Sequence, residues 1–317
     1  MKDLKFAVLI SIVILILFGC KSQKNDDSDA YEMKLKGKVK SIYYSIYEAR
    51  KSNGLILKGS KCSDCANDNF LLFNKNGNIE ENITYYDNGE LSKIIYAYNN
   101  KGEIILEVEY DLDGVLKNKY IYEYDKKGNK TKTESYSNEK IDYQTIFEYD
   151  DNNKLIVSYH YDLDKWIGVN LENFLDSKTT YKYDINGNLI EQSTYSRSGS
   201  LEKRLSKKYD KNIVVVVHTL TIGNYLKDIR SDYKYDEFGN EIESITYNDD
   251  GTEKVKTVSY YDNNNNKIKK IYQSYIQDFV DSTFYSYEYD VNNWIKKITY
   301  NSSKEPVYID EREIVYW

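Results

Sequence analysis

Polar and hydrophobic positions alternate with a period of two along most of the chain. In "YIYEY", Tyr120, Tyr122 and Tyr124 fall on one parity, and Ile121 and Glu123 fall on the other. Successive side chains of a β-strand point to opposite faces, so the pattern predicts a strand with its tyrosines on one face. The same alternation returns at Tyr181 and Tyr183, at Tyr233 and Tyr235, and at Tyr285, Tyr287 and Tyr289.

Turn signals separate these strands about every 12 to 14 residues. One class reads Tyr-Asp-x-x-Gly-Asn, as in "YDKKGN" from Tyr124, "YDINGN" from Tyr183 and "YDEFGN" from Tyr235. A shorter class, rich in Asp-Gly, alternates with it. Glycine and asparagine accept the positive φ of tight hairpin turns. Two alternating turn classes make the repeating unit a hairpin of about 25 residues.

The repeat predicts an all-β fold. About eighteen strands spaced ~4.8 Å apart would make a sheet some ~85 Å wide, and open sheets beyond about ten strands curl, split or flatten. We therefore expect a single large, strongly curved antiparallel meander, its tyrosine-rich face turned inward. A helical signal peptide precedes it. The predicted organisation is a signal peptide at 1–19, a flexible tether at 20–30 and a repeat domain at 31–317.

The first twenty residues have the pattern of an export signal. Lys2 and Lys5 precede an apolar run over 6–18, which is too short for a spanning helix. The run ends in "LFGC", which resembles the lipobox of bacterial lipoproteins. That resemblance implies cleavage before Cys20 and lipidation of its thiol. The following "KSQKNDDSDA" is similar to signals that send some Bacteroidetes lipoproteins to the outer face of the outer membrane, so we expect a lipid-anchored, outer-membrane or cell-surface protein.

The turn motif also carries a family resemblance. "YDINGNL" from Tyr183 resembles the unit of RHS/YD-repeat proteins, and matches recur in register over roughly 71–300. The resemblance implies an antiparallel sheet that spirals, as in the shell of RHS toxins. This chain has fewer repeats than a closed shell needs, and no toxin domain follows the last repeat. Its opening "LKGKVKSIYYSIYEA" from Leu35 is similar to the start of Bacteroidetes YD-repeat lipoproteins of unassigned function.

The amino-acid composition limits the classes of binding partner that we expect. The chain has 35 tyrosines, 9 phenylalanines and one proline, and its formal charge of −7 is spread along its length. The sequence contains no basic patch that could neutralise phosphates, so nucleic acid is not an expected partner. The expected partners are the membrane, through the N-terminal lipid, and a glycan or another envelope protein.

Two features are candidates for ligand binding. The tyrosines that share one face of consecutive strands form what we call the tyrosine ladder. This ladder could stack on sugar rings, but its plainer interpretation is the core of a thin sheet. An insert between Tyr161 and Tyr183 breaks the repeat spacing, and binding residues concentrate on such loops. The alternative is that its apolar residues merely pack on the sheet edge. The candidate ligand-binding residues are Trp166, Phe174, Tyr181, Tyr183, Tyr120, Tyr122 and Tyr233.

Other chemistry is sparse in the sequence. Cys62 and Cys65 form a CxxC, which in an exported chain favours a local disulfide, with free thiols as the alternative. The two histidines, His160 and His218, lie in segments with the pattern of strands and do not complete a zinc site, which needs four ligands. No catalytic motif is present, and we expect no metal and no cofactor.

The sequence therefore predicts a non-enzymatic, lipid-anchored envelope protein that binds a ligand, a carbohydrate being the leading candidate, through the tyrosine-rich face. Two alternatives stay open. One is a structural or protein-interaction component of the outer membrane, and the other is an immunity or antitoxin type of repeat protein.

Overall fold

The computed structural model describes residues 28–62, 65, 67–86, 91–163, 170–222, 225–290 and 293–317. These residues form one short α-helix, one short 3₁₀ helix and 21 strands. The helix α1 spans Asp29–Glu32, and the 3₁₀ helix spans Leu171–Phe174. The strands are β1 Val39–Ser52, β2 Leu55–Lys61, β3 Asp68–Phe73, β4 Ile79–Tyr85, β5 Leu91–Tyr98, β6 Ile104–Tyr110, β7 Leu116–Tyr124, β8 Lys130–Ser137, β9 Lys140–Tyr149, β10 Leu155–Asp162, β11 Leu175–Tyr183, β12 Leu189–Ser196, β13 Leu201–Asp210, β14 Ile213–Ile222, β15 Tyr225–Tyr235, β16 Glu241–Tyr247, β17 Glu253–Tyr261, β18 Lys267–Ser274, β19 Phe279–Asp290, β20 Asn293–Tyr300 and β21 Pro306–Tyr316.

The strands close into a ring. From β3 onward each strand pairs antiparallel with the next, and β21 returns to pair with β1, from Val39 opposite Tyr316 to Glu48 opposite Tyr308. The result is a closed barrel of 20 antiparallel strands. The expected open meander is therefore wrong. Closure satisfies both edges that an open sheet would leave unpaired, but the repeat alone does not indicate that its first and last strands meet.

Strand β2 is the additional, twenty-first strand. The first half of β1 pairs with β3 through Ser41–Tyr44, and its second half pairs with β2 through Tyr47–Ser52. The hairpin of β1 and β2 thus extends beyond the start of β3 at one end of the barrel.

Side-chain hydrogen bonds explain the Tyr-Asp-x-x-Gly-Asn turn. In the turn after β7, Oδ1 of Asp125 accepts hydrogen bonds from the backbone N–H groups of Lys127 and Asn129, at 2.8 and 2.9 Å. The Asn129 amide donates to Oδ2 of the same carboxylate at 2.9 Å. Gly128 has φ of 94°, which a residue with a side chain adopts only with strain. The Asp, Gly and Asn of the motif therefore each have a role in closing the turn.

The two turn classes lie at opposite ends of the barrel, because consecutive strands run in opposite directions. We call the end with the Tyr-Asp turns the YD rim; it includes residues 74–78, 99–103, 125–129, 150–154, 184–188, 236–240 and 262–266. The other end, with residues 111–115, 196–200, 248–252 and 301–305, is the distal rim.

An N-terminal strap, residues 28–38, crosses the YD rim. The Ala30 N–H donates to the Gly77 carbonyl at 2.9 Å, and Nζ of Lys34 donates to Oδ1 of Asn240 at 3.3 Å. Eight strands separate those two turns by the shorter way around the ring, a path of about 38 Å along the sheet. The four residues from Ala30 to Lys34 and one lysine side chain reach only about 20 Å. The strap therefore cuts across the opening, and the face it packs on is the inner face.

The main buried apolar cluster lies under this strap. Leu35 and Val39 pack with the inward-facing Ile42 and Phe73. Elsewhere the strands make extensive contact only with their neighbours in the ring, and most inward tyrosines are half-buried. The inward side chains thus line an interior instead of filling it. No helix of the described residues is long and apolar enough to cross a membrane.

The outward face is charged. Cross-strand ion pairs occur there between Lys93 and Glu81 at 2.9 Å, Lys132 and Glu123 at 2.5 Å, and Lys256 and Glu243 at 2.8 Å. These residues have the parity opposite to the tyrosine ladder. The period-two alternation in the sequence thus separates an aromatic inner face from a salt-bridged outer face.

Candidate functional site

Seven inward tyrosines near the YD rim share one hydrogen bond, which we call the tyrosine latch. Each hydroxyl donates, over 2.6 to 3.0 Å, to the carbonyl of the residue that begins a strand of the preceding hairpin. The pairs are Tyr98 with Ile79, Tyr124 with Ile104, Tyr149 with Lys130, Tyr183 with Leu155, Tyr209 with Leu189, Tyr261 with Glu241 and Tyr287 with Lys267. Phenylalanine could not make this bond, which explains the preference for tyrosine.

The other ladder candidates also face inward. The Tyr122 hydroxyl donates to Oε2 of Glu107 at 3.0 Å, and the Tyr181 hydroxyl lies 3.3 Å from Oγ of Ser158. Burial, followed by the nearby Glu107 carboxylate, raises the pKa of Tyr122 above its ordinary value. Tyr120 and Tyr233 have the same inward parity. Since several ladder hydroxyls are engaged within the wall, much of the ladder has a structural role.

The insert and the ladder do not come together. Phe174 is half-buried in the 3₁₀ helix at the distal rim, whereas Tyr183 ends β11 at the YD rim. The nine residues of β11, which begins directly after Phe174 and ends at Tyr183, correspond to about 30 Å in an extended strand. Trp166 lies outside the described residues, as does Cys20. One ligand contacting both Phe174 and Tyr183 would have to extend along the whole of β11.

The remaining sequence candidates lie apart from one another. Cys62 and Cys65 form a disulfide with a Cα–Cα distance of 5.3 Å, directly after β2. His160 stacks on Tyr143 with ring centroids 5.2 Å apart, while burial and the charge of Lys207 lower the pKa of His218. Within the described ranges, no group of three or more His, Cys, Asp or Glu side chains could hold a metal ion.

The structure reveals instead a cavity of about 710 Å³ between the strap and the YD rim, which we call the strap cavity. The strap contributes residues 31–36. The barrel contributes aromatic rings, side-chain amides and one arginine: Phe238, Asn263, Asn264, Asn265, Asn266, Tyr289, Asn293, Trp294 and Arg312. Asn293 also fixes the strap, since its side chain accepts from the Lys36 N–H and donates to the Lys36 carbonyl, both at 2.8 Å.

An aromatic and charged cluster lines one side of the strap cavity. The Arg312 guanidinium lies 3.5 Å from the centroid of the Trp294 ring, and Tyr44 and Tyr287 contact that ring edge-on. Asp310, one step along the inner face, accepts a hydrogen bond from the Tyr44 hydroxyl and pairs with Lys297 at 3.0 Å. Burial lowers the pKa of Arg312 to about 10.

Sequence reasoning missed this site for a physical reason. Its lining runs from residue 31 to residue 312, and those segments meet only because β1 pairs with β21 and the strap crosses the opening. The one local signal is Trp294, a large aromatic residue directly after a degenerate turn.

Comparisons with known proteins give limited likenesses. No protein-family model matches the chain, and no curated protein matches its sequence. A porin-like protein from Bacteroides uniformis superposes with a TM-score of 0.36 at 10% identity, over 87% of this chain and 96% of that one. A porin-like protein from Bacteroides vulgatus gives 0.34 at 9% identity, over 89% and 99%. The TcdB2-TccC3-Cdc42 structure gives 0.21 at 12% identity, over 77% of this chain and 19% of that chain.

Proposed function

We propose that this chain is a non-enzymatic envelope barrel that binds a saccharide in the strap cavity. The observation that carries the proposal is the combination of aromatic faces and side-chain amides around one cavity of about 710 Å³. Aromatic rings stack on the C–H faces of sugars, and amides exchange hydrogen bonds with sugar hydroxyls. The volume falls in the range of about 300 to 1,000 Å³ that is usual for small-molecule sites.

The proposed site replaces the ladder as the main binding surface. Latch hydroxyls such as those of Tyr124 and Tyr183 already donate to backbone carbonyls. A sugar hydroxyl would have to break that bond to engage them. Tyr289, Phe238 and Tyr31 line the strap cavity and present aromatic surface there.

The proposed location is the outer membrane, with the barrel held beside the bilayer by lipid on Cys20. Outward ion pairs such as Lys132 with Glu134 suit water, whereas a lipid-facing barrel presents an apolar band. In sequence, the predicted tether of residues 20–30 runs into the strap, whose described part begins at Ser28. The lipid and the strap cavity would accordingly lie at the same end of the barrel.

The test is a glycan array probed with the full lipidated chain in detergent. Trp294→Ala should abolish binding of the strongest glycan, because the ring shapes the cavity and supports Arg312. Trp317→Ala is the matched control, since Trp317 is half exposed and outside the cavity lining. Trp166→Ala tests the insert. Loss of binding in Trp166→Ala but not in Trp294→Ala would refute the strap cavity, and an array with no bound glycan would refute saccharide binding.

A protein-interaction role is the second candidate, and β2 favours it. This strand pairs with β1 along one edge and, among the described strands, with none along the other. Leu55 and Leu57 on it are 66% and 47% exposed. An unpaired edge can accept a strand from another protein. Crosslinking in intact cells should then capture a partner that Leu55→Lys/Leu57→Lys loses; identical crosslinks from both chains would exclude this edge. An immunity-type role stays a prediction, which a neighbouring toxin gene would favour.

A further inference from the structure

Arg312 is a half-buried cation that forms no salt bridge with a carboxylate of the described residues. Among the residues that the structure describes, no carboxylate oxygen lies within 4.0 Å of its guanidinium. Arg230 on the outer face shows the ordinary arrangement, because it stacks on Tyr247 and also pairs with Asp232 at 2.8 Å. Arg312 has the stacking partner but no close ion pair among the described residues, and the Asp310 carboxylate attracts its charge only from beyond 4.0 Å.

The nearby carboxylates are committed to other groups. Asp310 pairs with Lys297 and accepts from Tyr44. Asp262 accepts hydrogen bonds from N–H groups of its own turn and from the Tyr289 hydroxyl at 3.0 Å. The lining of the strap cavity contains one acidic residue, Glu32, and three basic residues, Lys34, Lys36 and Arg312. The cavity is thus cationic on balance, in a chain whose formal charge is −7.

The geometry of stacking leaves Arg312 able to bind an anion. Contact with Trp294 uses the flat face of the guanidinium, whereas its N–H donors lie in the plane and point away from the stacked ring. A carboxylate matches two of those donors in a bidentate pair. Stacking also restricts the plane of the guanidinium, so less freedom is lost when the pair forms.

We propose that the strap cavity takes an acidic saccharide whose carboxylate pairs with Arg312. The inference rests on the saccharide function proposed above and adds the class of sugar. Trp294 carries the arginine on its face, so the sugar ring stacks on Tyr289, Phe238 or Tyr31. A cavity of about 710 Å³ is far larger than a small inorganic anion requires, which argues for an organic ligand.

The test uses an array of uronate- and sialate-bearing glycans, each beside its carboxyl-reduced, neutral counterpart. The full lipidated chain should bind the best acidic glycan at least about tenfold more tightly than its neutral counterpart, the size expected of a charge-assisted hydrogen-bonded pair. Arg312→Gln should remove this preference and bind both glycans equally. Arg312→Lys, which keeps the charge, should retain part of the preference. Arg230→Gln is the control and should bind as the unmodified chain does.

The outcomes separate the two proposals. Equal binding of acidic and neutral glycans by the unmodified chain would overturn the acidic class and leave saccharide binding intact. Absence of any bound glycan would overturn both. Displacement of the glycan by acetate at millimolar concentration would show a site for small carboxylates and would also overturn the acidic-saccharide inference. A thermal melt of each variant establishes that it is folded, and if Arg312→Gln fails to fold, the Arg312→Lys result decides.

Discussion

The Tyr124 hydroxyl donates to the carbonyl of Ile104 at 2.8 Å. This hydrogen bond links two neighbouring hairpins on the inner wall of the barrel. The same bond recurs at six other repeats, always between a tyrosine that precedes a YD turn and the first residue of an earlier strand. Neighbouring repeats are therefore joined by a side-chain hydrogen bond as well as by the backbone hydrogen bonds between their strands.

Removal of one latch should weaken the barrel. Tyr124→Phe deletes the hydroxyl and keeps the ring, so we expect a loss of about 1 kcal/mol in the free energy of unfolding. Urea unfolding measures it. Tyr225→Phe is the control, because Tyr225 is 79% exposed and surface changes are usually within about 0.5 kcal/mol. Equal stabilities for the two variants would show that the latch contributes nothing.

The turn aspartates should make stability depend on pH. Hydrogen bonds from the Asn188 side chain and from turn N–H groups lower the pKa of Asp184, and the Asn129 N–H and neighbouring groups lower that of Asp125. A carboxyl with a lowered folded-state pKa stabilises the protein above its unfolded-state pKa, near 3.8, and this contribution is lost as the pH falls through the folded-state value.

We therefore expect the melting temperature of the unmodified chain to exceed that of Asp125→Asn/Asp184→Asn above about pH 4, with the gap closing in more acidic buffer. Both aspartates are only partly buried, so the gap should also narrow at high salt. Melts from pH 2 to pH 7 at two ionic strengths test this. A gap that stays constant across the pH range would contradict the expectation.

The strap should be sensitive to the glycine beneath it. Gly77 has φ of 85°, and a Cβ there would lie 2.9 Å from Oγ of Ser28 and 3.2 Å from Cβ of Ala30. Gly251 has φ of 82° with nothing within 4 Å. Both alanine variants should lose about 1 kcal/mol through backbone strain, and Gly77→Ala should lose more because the strap must move.

Limited proteolysis reads out the strap directly. Cleavage within residues 28–38 should accelerate in Gly77→Ala and not in Gly251→Ala. If both variants are cut at the same rate, the strap does not depend on close packing over Gly77.

Lipidation at Cys20 is predicted from the apolar run that ends in Gly19-Cys20. Metabolic labelling with a palmitate analogue should tag the unmodified chain and leave Cys20→Ala unlabelled. Equal labelling of both would refute the lipobox. Protease treatment of intact cells then distinguishes a surface location, which allows digestion, from a periplasmic one, which protects the chain.

The sequence predicts local structure well and closure poorly, for physical reasons. The alternation in Tyr120–Tyr124 specifies a strand and its faces, and Gly128 with Asn129 specifies the turn, since both depend on neighbours in sequence. Closure depends on pairing Ile42 with Ile314, which no local pattern encodes. The strap cavity depends in turn on closure, so Arg312 has no signal in the sequence beyond its residue type, and Trp294 has only its position after a degenerate turn.

Closure by β1 and β21 gives the repeats a fixed number. In an open array, losing or duplicating one hairpin shortens or lengthens the molecule and leaves every other contact in place. In a ring of 20 strands, the same event changes the circumference, and the seam between the N-terminal and C-terminal strands must be rebuilt at a new curvature. The strap adds a second constraint, because it spans a fixed chord from Gly77 to Asn240. Open repeat arrays can gain or lose repeats during evolution. The repeats of this chain can diverge in sequence, but they cannot readily be added or removed one at a time.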